Sequence, residues 1–74
     1  MLNPDLPVPL WRQLAAELQA RIDSGEWTAR VPSIKTLSQE YETSHRTVET
    51  ALTDLKDRGV IVAVSGRGYF VATD

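Results

Sequence analysis

A chain of 74 residues makes one domain with a thin core, since so short a chain buries only about 60% of the surface it exposes when unfolded. The absence of cysteine excludes disulfides, thiolate metal sites and cysteine nucleophiles and fits a reducing cytoplasm, and the single histidine, His45, cannot build a histidine metal cluster. The formal net charge of -2 sits in the N-terminal part, where residues 1–26 set Arg12 and Arg21 against Asp5, Glu17, Asp23 and Glu26, while the remainder holds six charges of each sign.

Residues 1–9 contain Pro4, Pro7 and Pro9 without periodicity and read as an extended arm, with Pro9 suited to opening a helix. From Leu10 the pattern is helical. Leu10, Leu14, Leu18 and Ile22 recur every four residues, and Trp11 and Ala15 widen the apolar stripe. Gly25 can end this first helix, at about 10–24, by taking the left-handed conformation. Residues 25–32 connect, with Trp27 as an apolar anchor. Ser33 is an N-cap, and a second helix of about two turns spans 34–41 with Ile34, Leu37 and Tyr41 on one face. Glu42-Thr43 is too short for a loop of its own. Ser44 caps a third helix at about 45–58, which buries Val48, Ala51, Leu52 and Leu55 and stops at Gly59.

After Gly59 the period changes. Val60 to Val64 is apolar and rich in β-branched residues, Ser65 to Gly68 is a turn, and Tyr69 to Ala72 is a second strand. An isolated hairpin is marginal in water, so this one must pack on the helices. Two serine-capped helices joined by a very short turn, then a hairpin, predict a mainly α winged helix-turn-helix. It has three helices and a two-stranded wing, an N-terminal arm over 1–9 and the domain proper over 10–74. No apolar run approaches the roughly 18 residues of a membrane span, and there is no signal-peptide pattern.

With one face of the third helix buried, the other is free for a partner. Near its start that face carries Ser44, His45, Arg46, Glu49 and Thr50, with Thr53 a turn later. In helix-turn-helix proteins these positions reach base edges in the major groove. Arg46 suits a bidentate contact with guanine, and His45 and Thr50 a base edge or phosphate. Ser44 and Thr47 can meet phosphate beside the positive helix end. The plainer alternative is a solvated face with a capping serine. Glu49 can accept from a cytosine amino group, pair with Arg46, or repel phosphate, and the three stay open.

Lys35 stands where the second helix would cross the DNA backbone, and Arg30 precedes it. Gly66-Arg67-Gly68 places a cation on a narrow wing tip suited to a minor groove, or is simply a permissive hairpin turn. Scattered carboxylates, no serine in a nucleophile motif and no glycine-rich phosphate loop leave catalysis without support. No cofactor or metal is expected.

Four stretches, VPLWRQLAAELQARIDSGEW, VPSIKTLSQEY, SHRTVETALTDLKDRGVI and GRGYFVA, in this order and spacing, resemble the N-terminal domain of GntR-type bacterial transcription regulators over about residues 8–72. The resemblance implies contacts to an operator from Ser33 and Lys35, from Ser44, His45, Thr47 and Glu49, and from Gly66 and Gly68. The family commonly has arginine where this chain has Lys35, His45 and Glu49, which implies an unusual operator, weaker binding, or a face turned to another partner. The expected function is sequence-specific binding of double-stranded DNA by a repressor at the bacterial nucleoid in the cytoplasm. Palindromic operators are usual in this class and imply two copies per site, a homodimer formed on DNA or through the arm. The family adds a metabolite-sensing C-terminal domain, so residues 1–74 are a small regulator or the DNA-binding part of a larger one. The alternative is a winged-helix protein-interaction module of plasmid or phage control, suggested by the acidic balance and Glu49.

Overall fold

A computed structural model describes residues 2–72. The elements follow as α1 (Leu10–Asp23), α2 (Ile34–Glu40), α3 (His45–Asp57), β1 (Ile61–Val64) and β2 (Gly68–Val71). The three helices and the hairpin are the winged helix-turn-helix expected from the sequence.

The core is made by the periodic apolar stripes. Leu14, Ala15 and Leu18 of α1 meet Val48, Ala51, Leu52 and Leu55 of α3, with Leu37, Tyr41, Val31 and Ile61 completing the cluster. Ile22, Trp27, Ile34, Val60, Tyr69 and Val71 pack around it half-buried, so Trp27 does anchor the connection. Ser38 is buried among them and is satisfied locally, its hydroxyl donating to the Lys35 carbonyl at 2.9 Å.

All three helices end alike. After α1, Gly25 N–H bonds the Ile22 carbonyl and Glu26 N–H bonds the Arg21 carbonyl, each at 3.0 Å. After α3, Gly59 and Val60 repeat this with Lys56 and Leu55 at 3.0 and 2.9 Å. This paired closure requires a left-handed residue one position past the cap. After α2 that residue is Glu42, with φ 51°, the only non-glycine of positive φ among the described residues. Its neighbour Thr43 N–H closes on the Ser38 carbonyl at 3.0 Å. The turn between α2 and α3 is therefore the end of one helix running straight into the cap of the next.

The strands pair antiparallel, Ile61 opposite Val71 and Val64 opposite Gly68, so Gly68 belongs to β2 rather than to the turn. Alternation sends Ile61, Tyr69 and Val71 toward the core and leaves Val62 and Val64 exposed. The wing has a further pairing absent from the sequence reading. Arg30 bridges Phe70, with Val31 N–H bonding Tyr69 O at 3.0 Å and Val71 N–H bonding Ala29 O at 2.6 Å. The α1–α2 connection is thus stitched to the outer edge of β2, which buries Val31.

The N-terminal arm is not extended. Gln13 holds it folded back on α1: the side-chain oxygen accepts from Asn3 N–H at 2.7 Å, and the side-chain amide donates to the Asn3 and Val8 carbonyls at 2.8 Å each. Leu2 then packs against the core. Three prolines suggested extension, but one amide side chain satisfies the backbone of a turn around them. No helix among the described residues is long and apolar enough to cross a membrane.

Candidate nucleic-acid interface

The two short-range serine caps set the site. Ser33 Oγ accepts from Thr36 N–H at 3.2 Å, and Ser44 Oγ accepts from Thr47 N–H at 3.1 Å. Each serine hydroxyl also bonds its threonine hydroxyl, at 3.0 Å for Ser33 and Thr36 and 2.9 Å for Ser44 and Thr47. These side chains fix the starts of α2 and α3, and so the direction in which Lys35, His45 and Arg46 leave the backbone.

Because Val48, Ala51, Leu52 and Leu55 take one side of α3, the helical period aims Arg46, Thr50 and Thr53 away from the core. His45 and Glu49, four residues apart, lie on the flank toward α2 and the wing. There they line an open groove of about 420 Å³ with Arg30, Ser33, Lys35 and Gly68 over a floor that includes Val31, Ile34 and Tyr69. Six of the residues singled out in the sequence are brought together in this one groove.

Ser44, Arg46, Thr47 and Thr50 flank a different groove, of about 350 Å³, closed on its far side by Leu10 and Trp11 of α1. The two grooves run on either side of the projecting face of α3. Gly66 and Arg67 line neither and stand exposed at the wing tip, where Arg67 N–H closes the turn on Val64 O at 2.9 Å. Gly66 and Gly68 have φ of 76° and 103°, which a side chain rarely tolerates, so the tip is built for glycine. The four-residue period predicts Leu10 and Trp11 in the core stripe of α1, but neither belongs to the core cluster or to the residues packed against it, because the stripe's first turn overhangs α3; both wall this groove instead.

Charge is sorted across the molecule. Arg30, Lys35, Arg46 and Arg67 form no ion pair among the described residues. The carboxylates Glu26 and Glu40 are instead engaged by Arg21, at the far end of α1. Arg21 also lies 4.1 Å from the centre of the Trp27 ring and donates to the Tyr41 hydroxyl at 3.1 Å. Its guanidinium is held charged beyond its ordinary range, chiefly by the hydrogen bond to Glu26, against some desolvation and with help from Tyr41 and Glu40. Asp54, near α1, is likewise paired, with Arg58 at 2.9 Å. No cluster of three or more His, Cys, Asp or Glu among the described residues is arranged to hold a metal.

Comparison with known proteins agrees with this architecture. Residues 10–71 match the family described as bacterial regulatory proteins, gntR family. The transcriptional repressor NagR of Bacillus subtilis (strain 168) is 30% identical over 73 residues, 96% of this chain and 30% of that protein. The chain spans 30% or less of the length of such curated relatives. Among solved structures, YtrA from Sulfolobus acidocaldarius, a GntR-family transcription factor, superposes with a TM-score of 0.88 at 29% identity, covering all of this chain and 80% of that one. The AraR DNA-binding domain in complex with operator ORE1 superposes with a TM-score of 0.85 at 28% identity, covering 97% of this chain and 90% of that one. Three helices, a wing and a matching sequence over nearly the whole domain make residues 10–71 a winged helix of the gntR type, and the chain belongs to the gntR family of bacterial regulatory proteins.

Proposed function

We propose that this domain represses transcription by binding an operator in double-stranded DNA, with α3 in the major groove. The observation that carries this reading is the α3 face itself. Arg46, Thr50 and Thr53 project from a helix whose other side is buried, and grooves carrying Arg30, Lys35 and His45 on one flank, and Trp11 on the other, lie beside it. Arg46 reads a base, Lys35 and Arg30 hold the backbone crossing α2, and Arg67 enters the minor groove from the wing tip. Ser44, Thr47 and Ser33 position the helix starts, and His45 and Thr50 border the bases or phosphates. The operator is palindromic and takes two copies of the chain. The protein works at the nucleoid in the cytoplasm, and the reading assigns it no catalytic step.

Selection of bound duplexes from a random pool identifies the operator. On that operator, Arg46→Ala is expected to cost about 1–3 kcal/mol and relax one base position, whereas Lys35→Ala weakens all sequences alike and lowers the salt slope by about 1. If both variants bind as the parent does at moderate salt, the reading face is wrongly assigned. Absence of duplex binding even at low salt would point to a protein partner instead.

A further inference from the structure

We infer that His45 makes operator binding sensitive to pH: it takes up a proton as the duplex seats, and the imidazolium then bridges the Glu49 carboxylate and a phosphate. The inference rests on the DNA-binding reading above and deepens it by naming a regulator of the same groove, the proton.

Three observations carry it. First, His45 opens α3 and lies in the groove that also carries Arg30 and Lys35. A phosphate drawn to those two cations comes within reach of the imidazole. Second, Glu49 lies about one helical turn from His45 and lines the same groove. Both side chains are exposed, and neither has a hydrogen-bond or ion-pair partner among the described residues. Third, His45 is the only histidine in the chain. The charged and titratable groups facing it are Arg30 from the α1–α2 connection, Lys35 from α2, Glu49 from α3 itself and Tyr69 from β2, and α1 and β1 bring none to the groove among the described residues. Between about pH 6 and 8, arginine and lysine ordinarily stay charged, glutamate ionised and tyrosine neutral, so histidine is the residue type there that changes charge.

The bridge answers a conflict within the groove. Arg30 and Lys35 attract a phosphate that Glu49 repels. A neutral imidazole donates through one nitrogen, whereas an imidazolium donates through both. Doubly protonated, His45 gives one N–H to Glu49 and the other to the phosphate, so the acid supports the contact that it otherwise opposes. The phosphate adds a second anion beside the ring and favours the protonated form in the complex. Binding and proton uptake are thereby linked: affinity rises as pH falls and is lost as pH rises through the histidine range. The added charge also releases a counterion, which a neutral ring does not.

The test titrates the selected operator at fixed salt between about pH 7.5 and 6. Parent affinity is expected to rise roughly three- to fivefold per domain over that range, and the salt slope to steepen by up to about 1. Calorimetry at about pH 7 in two buffers of different ionisation enthalpy should show uptake of roughly half a proton per domain. His45→Gln is expected to abolish both the uptake and the rise. His45→Arg, with a fixed charge, should bind at the upper pH about as the parent does at the lower one, without pH dependence. Glu49→Gln gains most at the upper pH and so flattens the profile. Thermal unfolding of each variant at both pH values separates a changed contact from a changed fold. If the parent binds operator equally at both pH values without proton uptake, or if His45→Gln keeps the rise, the proton switch is disproved and the α3 reading stands. If no duplex binds at low salt at either pH, the α3 reading fails and takes this inference with it.

Discussion

Glu49 is the residue whose chemistry most sharply divides the possible behaviours of the interface. It lies in the same groove as Arg30, Lys35 and His45, and no ion pair ties it to any of them or to Arg46 among the described residues. The i,i+3 pairing with Arg46, one of three roles open from sequence, is therefore not made in the free protein. An unpaired carboxylate in a groove of cations lowers the positive potential that a phosphate would meet. Repulsion between exposed charges is modest and screened over about 10 Å at 0.1 M salt. Glu49→Gln is accordingly expected to raise affinity for every duplex severalfold at low salt, with the gain fading as salt rises. Titration of operator and random duplex side by side checks it. A selective loss on operator at one C·G pair would instead assign Glu49 to reading a cytosine amino group.

At the level of elements, the α2–α3 turn carries the one backbone strain in the reading unit. Glu42 sits at φ 51° to let Thr43 close on Ser38, a geometry that costs an L-residue roughly 1–2 kcal/mol and glycine almost nothing. The Glu42 side chain is exposed, so little packing is lost with it. Glu42→Gly is expected to stabilise the domain by about 0.5–1 kcal/mol after the extra unfolded-state entropy of glycine is set against the relieved strain. Urea unfolding should show a higher midpoint with an unchanged slope; a lower midpoint would mean that the carboxylate holds the turn. This turn also shows where sequence reading stops. Ser33, Ser44, Gly25 and Gly59 announce helix ends because each residue type has a local reason to be there. Glu42 has none, since the helices on both sides impose its conformation. The Arg30–Phe70 bridge escaped for a related reason: a single bridge has no period, and only the approach of β2 makes those residues a strand edge. The folded N-terminal arm depends on Gln13, ten residues from Asn3, a separation at which proline spacing says nothing.

Across the whole molecule, the acidic sum conceals a division of labour between charges. The outward face of α3 was legible from its stripe, but its partition into two grooves was not, because that depends on where α1 and the wing come to rest. Nor was the fate of the acids. Arg21 draws Glu26 and Glu40 to itself and stacks over Trp27, joining α1, the connection and α2. It lines neither groove beside α3. Its side chain is only 22% exposed, while Glu26 and Glu40 are nearly half exposed, so the ion pairs are partly screened and the ring contact supplies the rest. Together these are worth about 1–2 kcal/mol, a sizeable share for a domain so small. Arg21→Met keeps much of the aliphatic stem and removes the charge. It is expected to lower the melting temperature by roughly 5–10 °C, with the gap narrowing but not closing in 1 M salt, because salt screens the carboxylates more than the ring contact. Well below that melting temperature, operator affinity should match the parent, since the clasp and the interface share no residue. A melting temperature unchanged by the substitution would show that Arg21 does not hold the helices together. A loss of affinity in a fully folded variant would show instead that the clasp sets the angle between α2 and α3, and so reaches the DNA through the scaffold.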